Sequence, residues 1–352
     1  MNPKKQIFYT LDGIRGIASI LVVLRHTLPF FNFEFQESYL AVDIFFLMSG
    51  VVISQAYQNR LENGLSVFNF MLIRLIRIYP IYLLATLLGV VSTIMNLNED
   101  ITAHNNLFGL YLRAILLVPN FRFVWFSYLF PLNPPAWSLF LEMVVNIFYA
   151  YIIKFLTKTL IAIIMLISGL SMAFSIYAVH PHNLDLGWNN AHIFAGFTRV
   201  FYSFFAGIAL YHLYKKKPHL NQSTNIISSL ILATIFAILI ASPNVKIVPY
   251  FDLIMVIAIF PALIYAAMLF QPTGILAKIC QFFGLISYAI YVLHYPLSHL
   301  IKAVCDRKGI IIEHYAPIGG VYLLLFLVII CWLIDKYYDL SIRKYLRNLI
   351  SY

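Results

Sequence analysis

Apolar residues in this chain fall into long, nearly unbroken runs, without the period-two alternation of half-buried strands or the one-sided stripes of surface helices. A helix that crosses the hydrocarbon core of a bilayer needs about 20 such residues. That rule picks out about ten runs, at 10–30, 39–57, 72–96, 135–155, 159–178, 194–214, 223–241, 249–270, 282–304 and 315–338. The short alternating segments of a membrane barrel are absent from the sequence. "NNLFGLYLRAILLVP" is apolar but too short to cross, and reads as an interfacial or re-entrant segment. The boundaries within 57–72 and 100–134 are the least defined. No fixed-period repeat and no low-complexity linker divides the chain, so 1–352 reads as a single membrane domain. The pattern predicts an all-α integral membrane protein, a bundle of about ten transmembrane helices.

Composition strengthens that picture. The 352 residues are 62% hydrophobic and 11% charged, against about 25% charged in soluble domains. Mean hydropathy is +0.84. The formal charge of +10 would suggest nucleic acid in a soluble protein. Here the basic residues sit between the runs and alternate from loop to loop, so topology accounts for them and no nucleic-acid partner is expected. By the positive-inside rule Lys4, Lys5, Arg60, Lys154, Lys158, Lys215, Lys216, Lys217, Arg343, Lys344 and Arg347 mark the cytoplasmic side, with both termini cytoplasmic. "CDRKG" runs against that trend, partly neutralised by Asp306. The first run is too long for a signal-peptide core and lacks a cleavage site, so it is expected to stay as the first span. Cys280, Cys305 and Cys331 lack metal-ligand spacing and, being odd in number, cannot all pair. They read as packing residues, and no metal site is expected.

Several runs nevertheless carry ionisable groups. "YTLDGIRGIASILVVLRHTLPFF" contains Asp12, Arg15, Arg25 and His26. Arg15 and His26 are eleven residues apart, which is three turns plus roughly 20°, so both leave one helix face about 16 Å apart along the axis. Asp12 and Ser19 share that stripe, and Arg25 does not. Such groups cost at least about 2.5–3.5 kcal/mol each at the centre of a bilayer. They persist where they line a polar passage or pair. A bland alternative has Arg15 snorkelling, Asp12 capping the helix and His26 at the boundary. "RLIRIYP" sets Arg74 and Arg77 on one face, either as a phosphate clamp or as positive-inside anchors. "PPAWSLFLEMVVN" places Trp137, Ser138 and Glu142 inside the fourth run. "VDIFFLMSGVVIS" pairs Asp43 with the small Ser49–Gly50 step, which suits close helix packing or backbone access. Arg199 in "FTRVFYSFFAGIAL" stands at a helix end where snorkelling is the simple reading. "ISYAIYVLHYP" puts Ser287, Tyr291 and His294 on one face, with Tyr288 on a neighbouring track.

Taken in order along the chain, these segments resemble the membrane-bound acyltransferase-3 family, the bacterial O-acyltransferases that modify surface polysaccharides. The segments that carry the resemblance are Arg15-x10-His26, "FFLMSGV", "RLIRIYP", "AWSLFLEM", "RVFYSFFAG" and "SYAIYVLHYP". Val51 stands where Phe is common. The resemblance covers essentially the whole length. It implies transfer of an acyl group, by default acetyl, from cytoplasmic acyl-CoA to a hydroxyl of a cell-surface or lipid-linked glycan, in the bacterial cytoplasmic membrane. His26 would be catalytic, Arg15 would position the donor, Arg74 and Arg77 would contact CoA phosphates, and Glu142 would support the centre, with Glu142 or Asp43 orienting the imidazole. Acyl-CoA would be a donor substrate, with no tightly bound cofactor. Many relatives carry a fused SGNH hydrolase-like domain, and the sequence has no GDS-type serine motif. The expectation is direct acylation or a separate extracytoplasmic acyl-accepting protein. A transporter or flippase of a glycan or lipid-linked precursor is the rival reading, since polar residues at membrane depth suit that also.

Overall fold

The computed structural model describes residues 7–96, 101–121, 128–179, 182–216 and 222–349. Each of the ten predicted runs is helical. We label α1 Tyr9–His26, α2 Ala41–Glu62, α3 Val67–Asn96, α4 Ile101–Ile115, α5 Ala136–Ile152, α6 Lys158–Ala178, α7 Ile193–Lys215, α8 Asn225–Leu239, α9 Val248–Leu269, α10 Gly274–Arg307 and α11 Ile318–Leu349. Among the described residues, eight helices are long and apolar enough to cross a membrane. The two predicted runs outside that set are α1, whose 18 residues carry Asp12, Arg15 and Arg25, and α8, which has 15 residues. The short apolar stretch is α4, also 15 residues. The protein is a multi-pass helical membrane bundle. Strand pairing among the described residues amounts to the two-residue parallel contact of Gln222–Ser223 with Phe270–Gln271 and one antiparallel bridge, Tyr128 with Asn189.

Local chemistry sets the helix ends. Past His26, Thr27 turns its hydroxyl back onto the Val23 carbonyl at 2.7 Å. Pro29 then opens a separate turn, Leu28–Phe31, which closes on Asn32 in the left-handed region. Thr157 caps α6 by accepting from the Leu160 amide. The 34 residues of α10 give a rod of about 51 Å, longer than the roughly 30 Å hydrocarbon core, so its ends stand clear of the apolar region.

Three packing features position the site. Helix α1 lies against α10 more extensively than against any other element. A side chain at Gly284 on α10 would collide with Asp12, so the glycine brings the polar stripe of α1 directly onto α10. Helices α2 and α7 cross with Gly50 and Gly207 in backbone contact, the close approach that small residues permit in lipid. Two π turns interrupt the long helices. Met255–Ile259 breaks α9, where the Ile257 carbonyl accepts from the Tyr202 hydroxyl at 3.0 Å. Ile334–Asp339 breaks α11, and Tyr338 there donates to the Pro80 carbonyl in the middle of α3 at 3.2 Å. Such turns free backbone groups for side-chain partners.

Candidate active site

At the end of the bundle that carries Arg15, Arg74 and Arg77, two cavities share a wall. One, of about 460 Å³, is lined by Asp12, Arg15, Arg77, Lys278, Asp335 and Arg343, among others. The second, of about 120 Å³, reaches deeper, past Ser49, Arg74, Glu142 and Ser287 to Ser138 and Tyr291. Arg15, Arg77 and Tyr288 line both.

The predicted arginine pair is divided between two tasks. Arg74 is 4% exposed and donates to Glu142 Oε1 at 2.6 Å. Ser49 donates to the same oxygen at 2.7 Å, so Glu142 ties α2, α3 and α5 together. Arg77 makes no hydrogen bond or salt bridge among the described residues, and its guanidinium faces both cavities. Arg15 has only a 3.6 Å contact with Asp12. That contact also corrects the capping role considered for Asp12, since no side chain caps α1. Lys278 and the Arg343–Asp339 pair complete a charged rim that sequence reasoning missed. These residues lie on α10 and α11, and no local motif marks them. Tyr288 is anchored by its hydroxyl on the Ile78 carbonyl at 2.7 Å, and Ser287 on that of Gly284 at 2.8 Å.

The deeper cavity stops at a hydrogen bond between Ser138 and Tyr291, 2.6 Å long. Beyond it lie His294 and then His26. The ring centres of Tyr291 and His294 are 6.2 Å apart, those of His294 and His26 5.1 Å. Arg15 and His26 leave the same face of α1, yet Tyr291 and His294 interrupt the passage predicted between them.

The two imidazoles are held by backbone carbonyls one helical turn back. His26 Nδ1 is 2.9 Å from the Val22 carbonyl oxygen, and His294 Nδ1 is 3.1 Å from that of Ile290. A carbonyl only accepts, so both Nδ1 atoms carry the proton. This tautomer, assigned from the bonding pattern, lets His26 Nδ1–H also face His294 Nε2, at 3.1 Å. His26 Nε2 is left with its lone pair and no partner among the described residues in that pattern, on a half-buried ring. The arrangement corrects one expectation. Neither Glu142 nor Asp43 bonds to His26, because both are consumed by arginines. The orienting groups are the Val22 carbonyl and His294.

Asp43 belongs to a separate structure. It takes Arg199 Nε and Nη2 at 3.1 and 2.6 Å, and Arg199 also donates to the carbonyls of Leu186 and Tyr39. Both side chains are 1% exposed. Trp137 covers the guanidinium, 5.6 Å from its ring centre. Arg199 therefore does not snorkel. With its donors met and a carboxylate beside it, its charge is tolerated inside the bundle. Arg25, off the stripe, pairs with Asp185 at 2.7 Å and Glu34 at 3.1 Å. The three cysteines are free; Cys280 and Cys331 are buried, and no group of three or more metal-ligating side chains occurs among the described residues.

Comparison with known proteins gives the chain a family. The model of a family described as an acyltransferase domain matches residues 8–335. A relative from the Acidianus two-tailed virus, named "Putative acetyltransferase ORF330", is 26% identical over 305 residues, covering 84% of this chain and 85% of that protein. "Protein 2 in picA locus" of Rhizobium radiobacter is 39% identical over 155 residues, 41% of this chain and 81% of its own length. No solved structure matches. With nearly its whole length matched, the chain is a membrane acyltransferase of the acyltransferase-3 family.

Proposed function

We propose that this enzyme is an O-acetyltransferase of the bacterial cytoplasmic membrane. It takes the acetyl group from cytoplasmic acetyl-CoA and places it on a hydroxyl of a cell-surface or lipid-linked glycan. The observation that carries the reading is the state of His26: its Nδ1–H is fixed by the Val22 carbonyl and His294, which leaves Nε2 as a positioned base. Nε2 accepts the proton of the acceptor hydroxyl, and the oxygen attacks the thioester carbonyl. The tetrahedral intermediate collapses with loss of the CoA thiolate, which takes the proton back from the imidazolium. Thioester and alcohol become ester and thiol, and no covalent enzyme intermediate is needed.

The donor enters from the end that carries the open cations. CoA phosphates cannot cross lipid, and Arg15, Arg77 and Lys278 around the outer cavity offer them charge-assisted hydrogen bonds. The thin pantetheine arm follows the deeper cavity towards Tyr291, which swings aside to let the thioester reach His26. The family match favours transfer over the transporter reading, and Arg77, with no hydrogen bond or salt bridge among the described residues, gives a CoA group somewhere to dock.

The test is His26→Ala in the full-length protein, assayed for glycan O-acetylation by mass spectrometry. Loss of a general base predicts a fall of about 10²–10⁴-fold at unchanged membrane abundance. A variant that still acetylates its glycan at the normal rate would remove the basis of the mechanism.

A further inference from the structure

On the far side of the two histidines from the arginines lies a third cavity, of about 200 Å³. A single water needs only about 10–15 Å³ of such space, so it holds a group of several heavy atoms. Its wall is built from the last turns of α3 and the outer half of α10: Ser92, Thr93 and Asn96 face Tyr295 and His299 across it. Ser92 lies about fifteen residues, or roughly 22 Å, along α3 from Arg77. The cavity therefore opens at the end of the bundle opposite to the charged rim. One wall residue, Tyr295, touches the candidate base. The edge of one ring meets the face of the other between His26 and Tyr295, with centres 6.1 Å apart and planes at 80°.

The chemistry of the wall is specific. Among the described residues no Lys, Arg, Asp or Glu lines it, and those that do line it offer no counter-charge to a phosphate or carboxylate. Its hydroxyls and amide would be left dry against an acyl chain. Thr93 Oγ1 donates to the Gly89 carbonyl and Asn96 Nδ2 to that of Ser92. Among the described residues nothing takes up the Thr93 oxygen lone pairs, Asn96 Oδ1 or the second amide hydrogen. Ser92 is 5% exposed, and its hydroxyl has no partner among the described residues. Tyr295 and His299 stack face to face at 4.1 Å, and neither polar edge makes a hydrogen bond among the described residues. An aromatic stack opposite neutral donors and acceptors suits a ring with C–H faces and a rim of hydroxyls.

We propose that this cavity is the acceptor site, and that it binds one neutral sugar ring with a hydroxyl directed past Tyr295 to His26. The inference rests on the proposed transfer reaction and adds where and how the acceptor is held. Donor and acceptor then approach one imidazole from opposite ends, and neither crosses the membrane.

The full-length enzyme in proteoliposomes, given acetyl-CoA with either methyl glucoside or the ringless alcohol butanol, tests this by mass spectrometry of the esters. Ser92→Ala and Tyr295→Ala should each raise KM for methyl glucoside by about 2–10-fold, the effect of one lost hydrogen bond or packing face. KM for acetyl-CoA and the thermal midpoint should stay unchanged. Ser92 does not contact His26, so that variant reads the acceptor site even if Tyr295→Ala disturbs the base. Transfer with an unmoved glucoside KM in both variants overturns the placement and leaves the reaction standing. Butanol acetylated as readily as glucoside overturns the sugar. Failure of the wild-type enzyme to acetylate either compound, or His26→Ala acetylating at the wild-type rate, overturns the reading on which this site depends.

Discussion

The two ends of the bundle use arginine in opposite ways. Asp43 and Arg199 are both 1% exposed, and the guanidinium is covered on one face by Trp137. Arg25 nearby is shared by two carboxylates and the Gln36 carbonyl. At the other end Arg77 has neither hydrogen bond nor salt bridge among the described residues, Arg15 has one long contact, and both face open cavities. A charge at membrane depth needs compensation. Where the protein supplies it as a close ion pair, the charge is architecture; where a cavity stands in place of a bonded partner, as beside Arg77, the guanidinium is left open to a ligand. Arg74 marks the border between the two, since it lines the deeper cavity yet is committed to Glu142.

The contrast can be broken by substitution. Arg199→Met should have the largest structural effect. Removing one partner of a buried pair strands the other and costs about 3–5 kcal/mol, which should appear as a large drop in the detergent thermal midpoint and low membrane abundance. The double variant Asp43→Leu/Arg199→Met, with no charge left to strand, should regain a good part of that loss. A single variant as stable as the wild type would mean the pair is not holding the bundle. Arg77→Gln should behave differently. Its thermal midpoint should be unchanged while KM for acetyl-CoA rises about 10–100-fold, the worth of a hydrogen bond to a charged group. Equal donor KM in variant and wild type would remove Arg77 from the donor site. Arg25→Gln should do least. Its partners Glu34 and Asp185 are 39% and 30% exposed, so water screens them and the change should be within about 1 kcal/mol. A loss as large as that of Arg199→Met would show that exposure is the wrong criterion for separating these arginines.

Much of this could be read before any coordinates. All ten apolar runs are helices, because a chain in lipid must satisfy its backbone internally and long apolar segments leave few other options. Spacing on α1 correctly put Arg15 and His26 on one face. The reading that Ser49–Gly50 is a close-packing step also held, although the serine turned out to serve Glu142. Less legible were the partners. Arg199 at a helix end looks like a snorkelling residue, and only the approach of α2 to α7 brings it onto Asp43. Glu142 and Asp43 looked like natural companions for His26 until each was found on an arginine. Lys278 and His299 carry no local signature, and nothing local assigns Arg343 or Tyr295 to a cavity wall.

The sequence alone determined that this protein lives in a membrane, that it is helical, where most of the spans lie, and which of its residues are too polar to be there without a reason. Those properties follow from the cost of exposing backbone and charge to hydrocarbon, a cost that each segment bears individually. Tertiary structure decided which polar group meets which: that His294 rather than a carboxylate faces His26, that Arg74 is tied and Arg77 open, and that Tyr291 stands between the arginine-lined cavities and His26. Pairing of this kind depends on how helices far apart in the chain are turned towards one another. That rotation is set by contacts such as Gly284 on Asp12 and Gly50 on Gly207, which involve two segments at once and are written in neither.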